Sequence, residues 1–286
     1  MTVIRERRPA TRPGMVRVSA IGFGLLAVLA WGQVLAGGDS GAGYLFRGDT
    51  WKRAGEFAGE LLGLGMEGES AFVDGALWQN AIGLSVETLA MSVLAAGIAG
   101  TAALVSFLPA ARNVAYGELG GSRRAVGVPG YMVLRVLFAF TRGVPELVWA
   151  LIIVFVFSPG VLAGALALAV HNYGILGKLA TEVVENMDTR PARALRGAGA
   201  NNFQIVLYGV LPQALPQLLT YLLYRWEVII RTTVVVGFVA AGGLGREFRL
   251  QMSYLHYDEV ALLLICYLAL VIGVDLVSAG LRRLAR

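Results

Sequence analysis

The sequence predicts an all-α integral membrane protein with about six transmembrane helices and both termini in the cytoplasm. Three observations lead to this fold class. First, 57% of the 286 residues are hydrophobic and only 15% are charged, whereas about 25% of the residues of a soluble domain are charged. Second, six apolar stretches are long enough to cross about 30 Å of hydrocarbon as helices. Third, arginines cluster in alternate loops, as they do on the cytoplasmic side of a membrane.

Composition and motif content exclude several classes of protein. A soluble enzyme, a disordered region and a coiled coil do not fit the low charge content, and the single cysteine, Cys266, excludes a disulfide scaffold. The two histidines, His171 and His256, are far apart in the sequence, so no metal-ligand cluster is predicted. No glycine-rich loop ends in Gly-Lys-Ser or Gly-Lys-Thr. The chain is therefore predicted to hold no cofactor, and any ATP that drives it would be bound by another chain.

Six apolar segments define the predicted spans, which are 18–38, 88–111, 130–157, 161–178, 213–240 and 259–281. The third and fourth spans share one uncharged run from Leu147 to Gly177. A helix over this run would be about 46 Å long, which exceeds the hydrocarbon layer. Because Ser158-Pro159-Gly160 interrupts the run, we predict two helices joined by a tight turn.

The loops predict the orientation. Arginines precede the first span at positions 5, 7, 8, 12 and 17 and end the chain at positions 282, 283 and 286. The segment 37–83 holds seven acids and three bases, whereas the loop 109–129 holds three arginines and one acid. Since basic residues near span ends accumulate in the cytoplasm, 37–83 is predicted to be external. This distribution also explains the net charge of +5 without a nucleic-acid partner.

The predicted layout is a cytoplasmic tail (1–17), a first span (18–38), a periplasmic segment (39–83), a transmembrane domain (84–281) that includes a cytoplasmic loop (179–212), and a cytoplasmic tail (282–286). The alternative for residues 1–36 is a signal peptide, although the apolar stretch exceeds the usual signal core. The external segment contains Trp51, Phe57 and several leucines, which predict an amphipathic helix. That helix either lies on the outer leaflet or docks a partner.

The loop 179–212 is the longest polar interruption of the transmembrane domain. After Pro191, the spacing of Ala194, Leu195 and Ala198 predicts a short helix, which Gly197 and Gly199 are suited to end. Pro212 stands where the next span begins. We expect a helical knob that projects into the cytoplasm.

This loop resembles the EAA coupling motif of ABC importer permeases, which reads Glu-Ala-Ala, three residues, Gly, nine residues, then Ile-x-Leu-Pro. The matching residues are Ala194, Gly199, Leu211 and Pro212. The departures are Arg193 for the glutamate, Leu195 for the second alanine and Gly209 for the isoleucine. The resemblance implies that the loop docks in a cleft of an ATPase subunit and transmits the closure of the ATPase dimer.

Four further segments, 141–155, 174–186, 211–231 and 234–248, resemble in order the PhnE-type permeases of phosphonate and phosphite importers, within the MetI-like superfamily. The resemblance covers roughly residues 84–281. It implies a type I ABC importer permease in the bacterial inner membrane, embedded in membrane lipid. The implied partners are a second permease copy, two ATPase subunits that bind ATP and Mg²⁺, and a periplasmic or lipid-anchored substrate-binding protein. The implied cargo is a phosphorus oxyanion, such as a phosphonate, phosphite or phosphate.

Charged residues within the spans are costly and generally face a protein or aqueous interior. Two oppositely charged pairs are spaced four residues apart, Arg142 with Glu146 and Glu227 with Arg231, which places each pair on one helix face. Two interpretations remain open. Either the pairs neutralise one another and fasten helices, or the arginines line an anion pathway and the glutamates hold them in place.

Prolines set the expected geometry around these charges. Pro145 removes a backbone donor and is expected to kink the third span. Counting from Pro212 at 1.5 Å per residue places Glu227 about 22 Å into the bilayer, beyond its midplane.

The glycines of the stretch 240–245 predict close backbone approach near the outer end of the fifth span. Gly242, Gly243 and Gly245 permit positive φ angles and close contacts. The functional interpretation is a periplasmic gate at the axis of a permease dimer, and the alternative is a simple reversal between two spans.

Two other functions compete with an ABC permease. In an ion-coupled secondary transporter of a small anion, Glu146 and Glu227 would be protonation sites. Such transporters usually contain an inverted repeat, and none is visible in this sequence. An intramembrane enzyme would need a catalytic constellation, which the sequence does not display.

Overall fold

The structure is a computed structural model that describes residues 14–36, 47–64, 70–117 and 127–284, apart from the side chains of residues 240 and 241. These residues form helices and turns without a strand, so the predicted all-α class is confirmed. The helices are α1 (Met15–Ala36), α2 (Gly48–Leu61), α3 (Gly75–Ser106), α4 (Arg112–Ala115), α5 (Gly127–Gly143), α6 (Glu146–Phe157), α7 (Val161–Asn186), α8 (Arg190–Gly197), α9 (Asn202–Ile205), α10 (Leu211–Val236), α11 (Gly243–Tyr254) and α12 (Tyr257–Leu284).

The described helices provide four to six candidate spans. Four of them, α1, α3, α7 and α12, are long and apolar enough to cross a membrane, and the number is six if each of two bent helix pairs is one span. The first pair is α5 with α6, and the second joins 202–239 to α11. The second span begins at Gly75 rather than near residue 88, because Asp74 caps α3 by accepting a hydrogen bond from the Ala76 amide at 2.7 Å.

The chain divides into two compact units, Met1–Gly59 and Glu60–Arg286. In the first unit, α1 is apolar on every side and α2 is amphipathic, as the tryptophan and phenylalanine of the external segment predict. The second unit contains α3 to α12 and the candidate site.

The third predicted span is two helices rather than one kinked helix. The axes of α5 and α6 meet at 94°, so the bend lies where Pro145 predicts it, but it divides 130–157 into two separate helices. Pro145 cannot donate a backbone hydrogen bond, and side chains satisfy the carbonyl groups released at the break. His171 Nδ1 donates to Val144 O at 2.9 Å, and Trp149 Nε1 donates to Thr141 O at 3.0 Å. The break is therefore a built feature of the fold.

Helix α7 lies at the centre of the second unit and packs against α3, α5, α6 and α10. Small residues allow this close packing, as at many helix contacts in membranes. A Cβ atom on Gly174 would lie 2.6 Å from Phe138 O and 2.8 Å from Arg142 N, and a Cβ atom on Gly177 would collide with the Phe138 ring. The backbones of α5 and α7 therefore meet almost directly at Gly174, and Gly177 makes room for the Phe138 ring.

Candidate coupling surface and transport site

The loop 179–212 forms a helical knob at the end of α7. Helix α8 begins after Thr189 with Pro191 in its first turn, and Asp188 Oδ1 accepts the amide hydrogen of Arg190 at 2.9 Å. The chain leaves α8 through Gly199, whose φ of +85° suits glycine. Helix α9 follows and starts with a capping box, in which Asn201 and Gln204 each bind the backbone of the other.

Helix α8 has a buried face and an exposed face. Ala192 is fully buried and Leu195 packs partly buried against the same apolar cluster, which includes Val184 and Val210. Arg193 and Ala194 are exposed on the other face, together with residues 197–199. The knob therefore exposes two of its motif positions while its base is fixed to the rest of the second unit.

Two departures from the coupling motif touch each other. A Cβ atom on Gly209 would lie 3.1 Å from Leu195 Cδ1 and 3.4 Å from Ala192 Cα. The larger residue in α8 therefore faces the smaller residue in the π-helical turn Val206–Val210. The two substitutions compensate in volume, which explains how the spacing of the motif is kept with different side chains.

The end of the motif starts the next helix. Leu211 packs against the apolar cluster at the base of the knob, and Pro212 lies in the first turn of α10, directly after the π-helical turn Val206–Val210.

The C-terminal end of α7 is tied to its surroundings just before the knob. Glu185 Oε1 accepts hydrogen bonds from Arg135 Nη2 of α5 and from the Arg112 amide, the latter at 2.7 Å. Asn113 Nδ2 donates to Val184 O at 2.7 Å. These contacts join the end of α7 to α5 and to the segment that begins at Arg112.

Glu227 and Arg231 do not hold each other, which corrects the predicted pairing. Glu227 forms an ion pair with Arg282, and Arg231 Nη2 binds both carboxylate oxygens of Asp275 at 2.7 and 3.0 Å. Both partners belong to α12. Glu227 and Arg231 therefore fasten α10 to α12, which agrees with one of the two interpretations. Their partners lie on another helix, so a spacing of four residues along one helix does not identify them. The sequence did contain a clue to the partner of Arg231, because Asp275 is an acidic residue within the last apolar span.

The ion pair with Arg282 places Glu227 along α12. Arg282 lies in the last turn of α12, which ends at Leu284. Glu227 is therefore level with the C-terminal end of α12. The helical stretch that leads to Glu227 already starts at residue 202 and not at Pro212, and the depth of Glu227 in the membrane stays a prediction.

Arg142 and Glu146 are separated by the break between α5 and α6. Glu146 Oε2 lies 3.4 Å from His171 Nε2, so this carboxylate faces α7 and does not hold Arg142. The Arg142 side chain is exposed and makes no hydrogen bond or ion pair with residues in the described part of the chain.

Sequence analysis missed one polar contact between α7 and α10. Arg225 donates from Nε and Nη2 to Asn172 Oδ1, at 2.9 and 2.5 Å. Asn172 is buried, with 1% of its surface exposed. The sequence does show an asparagine and an arginine within otherwise apolar spans, which indicates a polar contact, but only the fold shows that these two residues meet.

The glycine stretch has the predicted backbone conformations. Gly242 and Gly243 have φ angles of +101° and +63°, and a Cβ atom on Gly243 would lie 2.6 Å from Thr88 Oγ1. The same hydroxyl oxygen accepts the Leu244 amide hydrogen at 2.9 Å. Gly245 lies against Val234 O with no room for a side chain. Gly243 docks this stretch onto α3, Gly245 docks it onto α10, and its role as a gate stays a prediction.

The comparisons with known proteins agree with these features. Residues 119–286 match the family described as "Binding-protein-dependent transport system inner membrane component". The chain belongs to this family. As a member, it is an inner-membrane protein, and the predicted resemblance to MetI-like permeases is confirmed.

The names of two relatives mention a phosphorus oxyanion. The phosphite transport system permease protein PtxC of Stutzerimonas stutzeri is 40% identical over 198 residues, covering 69% of this chain and 68% of the relative. The phosphate-import permease protein PhnE of Mycolicibacterium smegmatis is 34% identical over 70% of this chain, but the match spans only 36% of that protein.

A solved structure supports the fold of the permease. The inward-facing MetNI methionine ABC transporter contains a chain that matches with a TM-score of 0.64 and 20% identity. The match covers 75% of this chain and 100% of that chain. The predicted type I ABC importer architecture is therefore confirmed.

Proposed function

We propose that this protein is the membrane-spanning subunit of an ATP-driven importer of a phosphorus oxyanion, namely a phosphonate, phosphite or phosphate. The observation that carries the proposal is the knob around α8, which exposes Arg193 and Ala194 at the coupling-motif positions while Ala192 anchors it. The named relatives support the substrate class. The permease itself makes and breaks no covalent bond.

The proposed assembly contains partners of four kinds. Two copies of the permease form the pathway, and two ATPase subunits bind ATP and Mg²⁺ and dock on the knobs. A periplasmic or lipid-anchored binding protein delivers the anion, and membrane lipid surrounds the spans. ATP binding favours the outward-facing state, and hydrolysis resets it. This cycle requires a mechanical connection between the knob and the pathway.

Helix α7 supplies that connection in our proposal. It runs without interruption from Val161 to Asn186 and leads into α8 after three residues. His171 and Asn172 stand about 20 Å from Glu185 along this helix. A shift of α8 would therefore displace the polar groups at the break between α5 and α6 as one rigid element.

We propose different roles for the charged residues of the two predicted pairs. Arg142 is exposed and has no described partner, which supports a role as a positive group on the anion pathway. Glu146 lies beside His171, near the break between α5 and α6. For Glu227 and Arg231 we propose the fastening role, because each is neutralised by a residue of α12. Gly242, Gly243 and Gly245 remain our proposed gate, supported by the close backbone contacts there.

An Ala194→Trp substitution tests docking of the ATPase. Ala194 is exposed on α8, so the larger side chain leaves the fold of the permease intact but blocks entry of the knob into a cleft. We expect co-purification of the ATPase subunit to fall at least about tenfold, which corresponds to about 1.4 kcal/mol of association free energy. The measurement is the ratio of ATPase to permease after affinity purification of the permease.

The matched control for this experiment is Ser253→Trp, an equally large change at an exposed position of α11. This control should retain the ATPase. Equal recovery of the ATPase with Ala194→Trp and with the unaltered chain would refute docking through α8.

A further inference from the structure

We propose that Arg225, oriented by Asn172, is an anion-binding subsite for the transported oxyanion within the transmembrane unit. This inference rests on the proposed function and names a residue that binds the cargo. Arg225 differs from three other arginines on the spanning helices in the kind of side chain that it contacts.

Three other arginines on these helices contact a carboxylate. The pairs are Arg135 with Glu185, Arg231 with Asp275, and Arg282 with Glu227. Arg225 instead contacts the neutral amide of Asn172, and no carboxylate among the described residues forms an ion pair with it. A carboxylate would neutralise the guanidinium, whereas an amide fixes its direction and leaves its charge available. Such a cation within a span is costly and therefore indicates a function.

The geometry leaves part of the guanidinium free for a ligand. Both described hydrogen bonds of Arg225 converge on one atom, Asn172 Oδ1. The Nη1 group and the second hydrogen of Nη2 have no described acceptor. Asn172 Nδ2 donates to Leu168 O at 2.7 Å, which fixes the amide so that its oxygen points toward Arg225. Arg225 itself is half-buried, so it remains accessible from one side.

A tetrahedral phosphorus oxyanion suits the free groups. Arginine binds two oxygens of such an anion through parallel hydrogen bonds, which a lysine or an amide cannot do. The subsite recognises the charged oxygens that phosphite, phosphonates and phosphate share. It therefore accounts for transport of the class and leaves the choice within the class to the binding protein.

Nearby charges limit how tightly the anion is held. Glu146 interacts electrostatically with Arg225 but lies beside His171, with 3.4 Å between Glu146 Oε2 and His171 Nε2. Its negative charge therefore lowers the positive potential at Arg225 without occupying the guanidinium. A transport site needs such a compromise, because the anion must enter and then leave. Since Asn172 and His171 belong to α7, movement of the knob also displaces this subsite.

An Asn172→Asp substitution separates a binding role from a structural role. The carboxylate has nearly the shape of the amide and would pair with Arg225, which strengthens the contact between α7 and α10 but neutralises the cation. The experiment uses the complete transporter in proteoliposomes and measures uptake of phosphite, methylphosphonate and phosphate, together with ATPase activity stimulated by the binding protein. We expect uptake to fall about tenfold or more while ATPase activity and thermal stability are retained.

Two further sets of variants complete the test. Arg225→Gln and Arg225→Lys should reduce uptake in the same way, and they carry the test if Asn172→Asp fails to fold. The matched control is the double substitution R231Q and D275N, which removes an arginine and its carboxylate from α10 and α12. This control should retain uptake at equal amounts of protein.

The outcomes distinguish the subsite from the proposed function. Normal uptake by the Asn172 and Arg225 variants would overturn the subsite while leaving the importer intact. Loss of ATPase activity and stability in parallel with uptake would also overturn it, since that pattern indicates a structural contact. If the unaltered transporter carries none of the three anions, the proposed substrate class and the subsite are both refuted.

Discussion

A Gly174→Ala substitution is expected to destabilise the transmembrane unit. The added Cβ atom would lie 2.6 Å from Phe138 O and 2.8 Å from Arg142 N, both of which are backbone atoms that cannot rotate away. Helices α5 and α7 would have to separate, and overpacking of this kind costs about 1–3 kcal/mol or more. We expect a decrease of several degrees in the midpoint of thermal unfolding of the purified protein.

Gly97→Ala is the matched control for this prediction. Gly97 lies within α3, and nothing stands within 4 Å of the position that its Cβ atom would occupy. An alanine there should leave stability unchanged or raise it, because alanine is the better helix former by about 1 kcal/mol. Equal midpoints for Gly174→Ala and Gly97→Ala would show that α5 and α7 do not meet as described.

A Gly209→Ile substitution is expected to disrupt coupling, and Leu195→Ala is expected to restore it. The isoleucine would enter the space that Leu195 Cδ1 occupies, 3.1 Å from the Cβ position of residue 209. Because Leu195 packs against the apolar cluster at the base of the knob, the knob would be forced away from α10. We expect ATPase activity stimulated by the binding protein to fall about tenfold or more in the assembled transporter.

The rescue is the informative part of this experiment. The double variant places isoleucine at 209 and alanine at 195, as in the general motif, so the volumes match again. Each single change should be harmful, and the double variant should recover most of the activity, which is strong coupling between two contacting sites. Additive effects of the two substitutions would contradict the compensation between Leu195 and Gly209.

Features that depend on hydropathy could be predicted from the sequence, and features that depend on distant contacts could not. The six spans followed from apolar length, since that property is local. The start of α3 was placed too late because Gln79, Asn80 and Glu87 interrupt the apolar pattern of a helix that already begins at Gly75. Polar residues in an outer turn therefore hide a helix from a hydropathy criterion.

The charged contacts show the same limit more clearly. A spacing of four residues identifies neighbours on one helix, but Arg231 is paired with Asp275, 44 residues away. Once α12 is placed beside α10, its carboxylate is a better partner than Glu227, which Arg282 already holds. The contact between Asn172 and Arg225 spans 53 residues and was equally hidden. The resemblance of the loop 179–212 to a coupling motif rests on spacing, whereas the contact between its altered positions Leu195 and Gly209 is visible only in the fold.

The most direct test of the central claim is a measurement of which anion is transported and of which energy source drives its transport. The complete transporter, reconstituted with its ATPase and binding protein, is supplied with phosphite, methylphosphonate, 2-aminoethylphosphonate or phosphate, and uptake is measured with and without ATP. Our account predicts uptake of at least one of these anions that requires ATP and Mg²⁺ and is unaffected by a protonophore. Uptake that is driven by an ion gradient without ATP would contradict it, because a secondary transporter with protonated Glu146 and Glu227 would then explain the result.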